Sequence, residues 1–290
     1  MGKKIIIIGA NELQKQLVDK ANALDFETHV FAWEQGAVAK EIADYFYPIS
    51  IRKKEKILNI AKKINPIGII SVGSDLALPT VNYIANELNL IGNSNFSSKV
   101  TTNKYEMRNI LNKNNLPCPD YELVTAKNQI GNLNIDYPFM IKPLDRSGSR
   151  GVKLIKNEKE FFEARKETLN VSFNDKFLIE EYFEGKQYSI EMISWKGDHE
   201  FLAITEEFFT GAPYFVEKQH VIPGRISKKN LKTVIEILKE ALDVLDIKFG
   251  ASHSEIRING NGEMSIIEIA GRMGGDFRSD LVNIAEGYDY

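Results

Sequence analysis

Residues 249–275 read FGASHSEIRINGNGEMSIIEIAGRMGG, from Phe249 to Gly275, and the fold turns on how they pair. Two runs of alternating apolar and polar residues flank Asn259-Gly260-Asn261-Gly262. An Asn-Gly pair between such runs is a strong signal for a β-hairpin. With Asn261-Gly262 as a two-residue loop, Gly260 pairs with Glu263 and, counting outward, Glu255 falls opposite Glu268. Side chains alternate faces along a strand, so His253, Glu255, Arg257, Glu268, Ala270 and Arg272 share one face. Carboxylates placed directly opposite each other repel. A divalent cation between them would remove the conflict, and oxygen-only ligands suit magnesium. The alternative is a solvated hairpin. A turn at Asn259-Gly260 would instead set Glu255 against Met264 and dissolve the pair.

Outward from this hairpin, a chain of 290 residues has room for two domains. A formal net charge of −3 gives no global electrostatic argument for nucleic acid. Cys118 is the single cysteine, which excludes a disulfide framework or a cysteine metal cluster and fits a reducing, cytoplasmic setting. Set between two prolines, it reads as a chance free thiol. The opening MGKKIIIIGA has too short an apolar run for a signal peptide. No run approaches the roughly 20 residues that span a bilayer. The expected partners are therefore small molecules, with no nucleic acid and no membrane.

Lys3–Ile8 is an apolar run ending in Gly9, the pattern of a strand buried on both faces of a parallel sheet. Strands over 27–33, 47–49 and 68–72 follow, with helices over 36–46, around Ile57–Ile64 and around Val81–Leu88; Asp75 is a candidate N-cap for the last. Alternating strands and helices make residues 1–100 a Rossmann-like, doubly wound α/β domain. The turn after the first strand lacks the three glycines that admit a pyrophosphate, so a dinucleotide cofactor is not expected. Asp75 and Trp33 lie on loops after strands, where ligands of such sheets sit, but read first as cap and packing residues. Asn93–Thr102 reads as a linker. Beyond it, a helix over 104–114 leads into short strands at 121–124, 139–142, 151–155, 177–182, 187–195 and 200–206. Helices start after Asn157 and Ser227, and the whole second part reads as α+β.

Two further stretches carry chemistry. In Pro138–Val152 an apolar strand ends in Lys142, followed by Ser147-Gly148-Ser149-Arg150-Gly151. A loop so rich in Gly and Ser can aim backbone N–H groups at phosphate oxygens, with Lys142 as a point charge beside it. It is not a Walker loop, since Gly-Lys-Ser/Thr is missing. In Glu180-Glu181-Tyr182-Phe183-Glu184-Gly185, a strand breaks at Gly185 and resumes, a hinge whose edge backbone could bond a purine.

Lys104, Lys142 with its glycine loop, Glu-Glu-Tyr-Phe-Glu-Gly, and Glu255 and Glu268 with Arg272 come in an order that resembles the ATP-grasp superfamily of carboxylate–amine ligases. Gly250–Glu255 followed by Glu268–Gly275 is similar to the branch that contains bacterial L-amino-acid ligases. The resemblance implies a two-lobed ATP-grasp domain over 101–290, with the smaller ATP-binding lobe at 101–185 and the larger, metal-carrying lobe at 186–290. It implies that Lys104 and Lys142 contact ATP phosphates under the loop of Ser147, Gly148 and Gly151. Glu180 and the backbone of Glu181 and Phe183 would hold adenine, and Gln187 the ribose. Glu255 and Glu268 would hold magnesium, with manganese as a substitute. Arg272 would stabilise the transferring phosphoryl group, with Lys142 also counted as catalytic. His253, Arg257 and His220 would meet substrate, with Tyr214 near its entrance. Many members carry asparagine where this chain has Ala270, a further metal ligand that is missing here.

The expected reaction joins a carboxylate to an amine through an acyl phosphate, in a protein that can form a homodimer. Alternatives are a carboxylase or carbamoyl-phosphate type of ATP-grasp enzyme, and an ATP-binding module without catalysis.

Overall fold

A computed structural model describes residues 2–125, 134–173, 175–212 and 214–290, leaving Pro213 of the aromatic-rich segment Phe208–Pro223 outside the described residues. The N-terminal domain carries β1 (Lys3–Ile8), β2 (Phe26–Ala32), β3 (Tyr45–Pro48) and β4 (Gly68–Ile70), all parallel and ordered β3-β2-β1-β4. Helix α1 (Glu12–Ala23) covers one face; α2 (Lys54–Ile64) and α3 (Leu78–Glu87) cover the other. The uninterrupted isoleucines of β1 serve both sides: Ile6 and Ile8 enter one core and Ile7 the other. Each is fully buried and contributes about 1.5–3 kcal/mol.

Three expectations for this domain are corrected. The helix read over 36–46 is only one 3-10 turn at Val38–Glu41. Asp44 ends it by accepting from the Thr28 amide at 2.8 Å and hydroxyl at 3.0 Å, and aromatic stacking of Tyr47 on Phe31 draws the following residues into the sheet. Asp75 does not cap α3; the cap position is Ala77, without a side-chain bond. The linker at 93–102 contains a helix, α4 (Asn95–Thr101), capped by Ser94. Asn93 straps this junction to the far end of the chain, accepting from the amides of Lys248 and Phe249 at 2.8 and 2.9 Å and donating to the Phe249 carbonyl at 2.8 Å.

Helix α5 (Lys104–Lys113) buries Lys104, Met107, Arg108 and Leu111 on one stripe. Met107 and Leu111 join the core of the larger lobe, so in packing terms the lobe expected over 101–185 starts only at its first strand. That lobe is a sheet ordered β5-β8-β6-β7, from β5 (Tyr121–Thr125), β6 (Phe139–Pro143), β7 (Lys153–Ile155) and β8 (Lys176–Glu181), backed by α6 (Glu158–Val171). Phe139, Phe161 and Phe177 fill its core.

The larger lobe is an antiparallel sheet ordered β11-β10-β9-β12-β13. Its strands are β9 (Lys186–Trp195), β10 (Asp198–Phe209), β11 (Glu217–Val221), β12 (Phe249–Ile258) and β13 (Met264–Ala270). Helix α7 (Lys228–Val244) packs Val234, Leu238 and Leu242 on one face of it. The other face is polar, and α8 (Arg278–Glu286) follows β13 back across it, with Arg278 reaching Glu207 at 2.5 Å. Between β8 and β9, a side chain at Gly185 would meet the Ile258 carbonyl oxygen at 2.5 Å, so the hinge position needs glycine for its close approach.

The deciding hairpin forms, but with a different turn. Ile258 pairs with Met264, and Asn259 spans to Glu263, leaving a three-residue loop, Gly260–Gly262, where two residues were expected. Asn259 Oδ1 accepts from the amides of Asn261 and Glu263, both at 3.0 Å, which fixes the wider loop. A bulge then restores the count: Ile256 pairs with Ile266 but Glu255 pairs with Glu268, with Ile267 left over. The two glutamates therefore do stand opposite each other.

Candidate active site

The polar face of the larger sheet and the end of β6 enclose a cavity lined by Lys104, Lys142, Ser147, Gly148, Glu255 and Glu268, among others. One part of its lining is built by two lysines from different elements. Lys142 closes β6 and stands 2.5 Å from Glu180 Oε2 on β8. Burial lowers its pKa, Glu180 opposes that, Arg108 adds to it, and the net shift is downward. Lys104 opens α5 and donates to Glu268 Oε1 at 2.8 Å and to the Arg146 carbonyl at 2.9 Å. Burial works against its charge, but Glu268 outweighs burial and raises its pKa. The loop between the lysines turns at Gly148, Ser149 and Gly151, all with positive φ.

Another part of the lining is the opposed glutamate pair. Burial raises the pKa of Glu255, yet His253 and then the two lysines bring it down to about 2. Glu255 is thus ionised, and both carboxylates line the cavity. Two carboxylates, an all-oxygen donor set beside two lysines, fit magnesium. The missing third ligand has a visible counterpart. Ala270 pairs in register with His253. The His253 Nδ1 lies 2.5 Å from Glu191 Oε1, and its Nε2 lies 3.7 Å from Glu255 Oε1. Burial disfavours the imidazolium, but Glu191, then Glu255, raise its pKa to about 10. A cation of the protein's own therefore occupies this corner. Next to it, a side chain at Gly274 would meet Glu191 Oε1 at 2.8 Å and His253 Nδ1 at 2.9 Å.

The rest of the lining carries Met140, Val152, Phe209 and Ile267 as apolar walls, with Tyr182, Phe183, Gln187 and Arg257 around them. Here several expected roles shift. Glu180 is buried and ion-paired rather than free to hold a base. The Glu181 amide donates to Asp120 at 2.9 Å and the Phe183 amide to Glu181 at 3.1 Å, so both are already engaged. Gln187 donates to Glu207 and Glu255 at 3.0 and 3.2 Å and accepts from Arg257 at 3.0 Å.

The residues expected to meet substrate are not gathered together. His253 is buried and saturated by two carboxylates. Arg257 donates to the Phe183 carbonyl at 3.1 Å and lies over Tyr182. His220 stands on β11, 2.9 Å from Glu217. Tyr214 is exposed, with the Lys153 ammonium over its ring. Arg272 does face the junction with the N-terminal domain, held by both oxygens of Asp75.

Sequence reasoning missed Arg108, Glu191, Glu207, Arg278 and Tyr290. Arg108 had a signal, a charge on the apolar stripe of α5. The others are joined only by the fold: Tyr290 reaches Glu191 at 3.0 Å across 99 residues.

This parallel-sheet domain followed by two antiparallel lobes around a lysine-and-carboxylate cleft defines a nucleotide-dependent class of fold. The ATP-grasp domain family matches residues 135–280, and the chain belongs to that family. A formate-dependent phosphoribosylglycinamide formyltransferase of Prochlorococcus marinus is 24% identical over 221 residues, 74% of this chain and 53% of that protein. The chain spans about half the length of the curated relatives it matches. An L-amino acid ligase from Bacillus licheniformis superposes with a TM-score of 0.80 at 21% identity, covering 98% of this chain and 68% of the other. The biotin carboxylase domain of Hydrogenobacter thermophilus 2-oxoglutarate carboxylase, solved with MgADP and bicarbonate, superposes at 0.82 with 17% identity, covering 100% of this chain and 68% of the other. These likenesses extend the fold over both lobes and the N-terminal domain. Among the described residues no helix is long and apolar enough to cross a membrane.

Proposed function

We propose that the protein is an ATP- and magnesium-dependent ligase that joins a carboxylate to an amine, with release of ADP and phosphate. The observation that carries this reading is one cavity lined together by Lys104, Lys142, the Ser147-Gly148 loop, Glu255 and Glu268. A carboxylate is a poor electrophile. Its oxygen attacks the γ-phosphorus, ADP leaves, and the acyl phosphate so formed has a good leaving group. The amine nitrogen then attacks the acyl carbon, phosphate departs and a proton is lost to solvent. Such chemistry needs positioning and charge neutralisation rather than a protein nucleophile. Lys104 and Lys142 neutralise phosphate oxygens, and the loop at 147–151 shields the acyl phosphate from water. Arg272 binds the transferring group from the side of the N-terminal domain. Magnesium, held by Glu255 and Glu268, neutralises phosphate charge; manganese is the natural substitute. The His253 imidazolium beside Ala270 favours a single ion at these two carboxylates.

The substrates are small molecules. The test is a screen of carboxylate and amine pairs for ADP release. Release driven by bicarbonate in place of an amino acid would replace the ligase reading with a carboxylase one. Tight ATP binding with no pair raising ADP release would leave a binding module. Sedimentation would show whether the protein works as a homodimer, as the Hydrogenobacter domain was solved.

A further inference from the structure

Arg108 is almost fully buried, at 1% exposure, one helical turn beyond Lys104 on α5. Burying a guanidinium is costly unless its charge and donors are met. Two acceptors meet part of it. Nη2 donates to the Ile267 carbonyl at 2.6 Å and stands 2.9 Å from Glu180 Oε1. Nε, Nη1 and the Glu180 Oε1 are buried without a hydrogen-bond partner, so the contact with Glu180 is an ion pair alone. The two acceptors lie in different lobes. Glu180 is on β8 of the smaller lobe and holds Lys142 through its other oxygen, 2.5 Å away. Ile267 is the extra residue of the bulge on β13, immediately before Glu268.

Charge makes the arrangement more than a brace. Glu180 is one buried anion between two buried cations, Arg108 and Lys142, so the cluster keeps one positive charge in excess at the phosphate end of the cavity. Without Arg108, Glu180 and Lys142 would form a closed neutral pair, and the lysine would be spent on its neighbour. With Arg108 sharing the carboxylate, the ammonium remains available to a phosphate oxygen. In the same contact the guanidinium fixes the backbone beside Glu268 relative to Lys142.

We propose that Arg108 is a positioning residue for the polyphosphate: it shares Glu180 so that Lys142 stays free for phosphate, and it pins the Ile267 carbonyl so that Glu268 keeps its place opposite that lysine. The inference rests on the nucleotide reading of the cavity above.

The test uses calorimetric binding of MgADP and of magnesium tripolyphosphate, the second lacking any adenine. Arg108→Met is expected to weaken both by about tenfold or more, the scale of losing one hydrogen bond made by a charged group. Adding Glu180→Gln to Arg108→Met releases Lys142 and is expected to bring tripolyphosphate affinity back to within about threefold of wild type, on the same charge-sharing ground. A merely structural arginine gives no such recovery, since the second change removes one more buried contact. Where Arg108→Met does not fold, Arg108→Lys carries the test, because both contacts run through Nη2, at the far tip of a side chain longer than that of lysine. Unchanged affinity in either folded variant, or a double variant no better than the single one, overturns the role of Arg108. Wild-type protein that binds neither ligand overturns the nucleotide reading itself.

Discussion

Arg272 Nε and Nη2 lie 2.7 and 2.6 Å from the two carboxylate oxygens of Asp75, a residue 197 positions earlier in another domain. Burial opposes the Asp75 anion, but Arg272 more than offsets it and holds the carboxyl below its ordinary pKa. The pair thus orients the guanidinium that the proposed chemistry needs. Asp75→Ala leaves a largely buried charge without a partner. It is expected to cost about 2 kcal/mol, below the ~3–5 kcal/mol of a fully buried pair because both side chains keep some exposure. Urea denaturation checks this, and Asp75→Ala/Arg272→Met should recover more than half of the loss. A single variant as stable as wild type would contradict the account.

Glu268→Gln removes one carboxylate of the opposed pair and the ion-pair partner of Lys104. Magnesium-dependent ADP release should fall by about 100-fold, the scale of removing a preorganised electrostatic group. The magnesium concentration at half-maximal rate should rise. Turnover that keeps its magnesium dependence in this variant would remove the metal assignment.

His253 is charged up to about pH 10 in the fold, against an ordinary value of 6.5. A group whose pKa is raised on folding contributes stability that is complete below its unfolded value and is lost as pH climbs to its folded one. Thermal stability should therefore decline between about pH 6.5 and pH 10 in wild type. His253→Gln should start from a lower midpoint at pH 6 and fall less steeply over that window. Parallel curves for the two proteins would show that this imidazolium does not titrate there.

Gly185→Ala puts a methyl group 2.5 Å from the Ile258 carbonyl oxygen, a backbone atom that cannot swing away. A loss of about 1–3 kcal/mol is expected. The strain acts at the junction of β8 and β9, so nucleotide affinity should weaken along with stability. Equal melting temperatures for variant and wild type would show that the junction gives way freely.

How far the sequence could be read depended on the distance over which each feature is determined. The buried β1, the Asn157 and Ser227 caps and the stripe of α7 follow from neighbouring residues, and all were legible. Opposition of Glu255 and Glu268 was read correctly through two compensating departures: the loop has one residue more than expected, and the bulge at Ile267 takes up the difference. The cap assigned to Asp75 failed because a charge from β13's end competes for that carboxylate, which no local pattern records. His253 was legible as a face residue but not as a buried cation, since its partner Glu191 comes from a strand 62 residues away. Arg257 was placed on the right face, but its packing against Tyr182 and Phe183, which comes from another lobe, had no local signal.

The odd residue in the hairpin has a meaning for how such a site can change. In a regular ladder, neighbours in sequence look to opposite sides, so a strand offers every second residue to a ligand. At the bulge Ile267 and Glu268 both line the cavity, an apolar wall directly beside a carboxylate. Deleting Ile267 would regularise the strand and still leave the glutamates facing each other, yet it would strip the cleft of its wall and Arg108 of its carbonyl. One unit of surplus chain, rather than any substitution, is what lets consecutive positions present an apolar surface and a carboxylate to the same cavity.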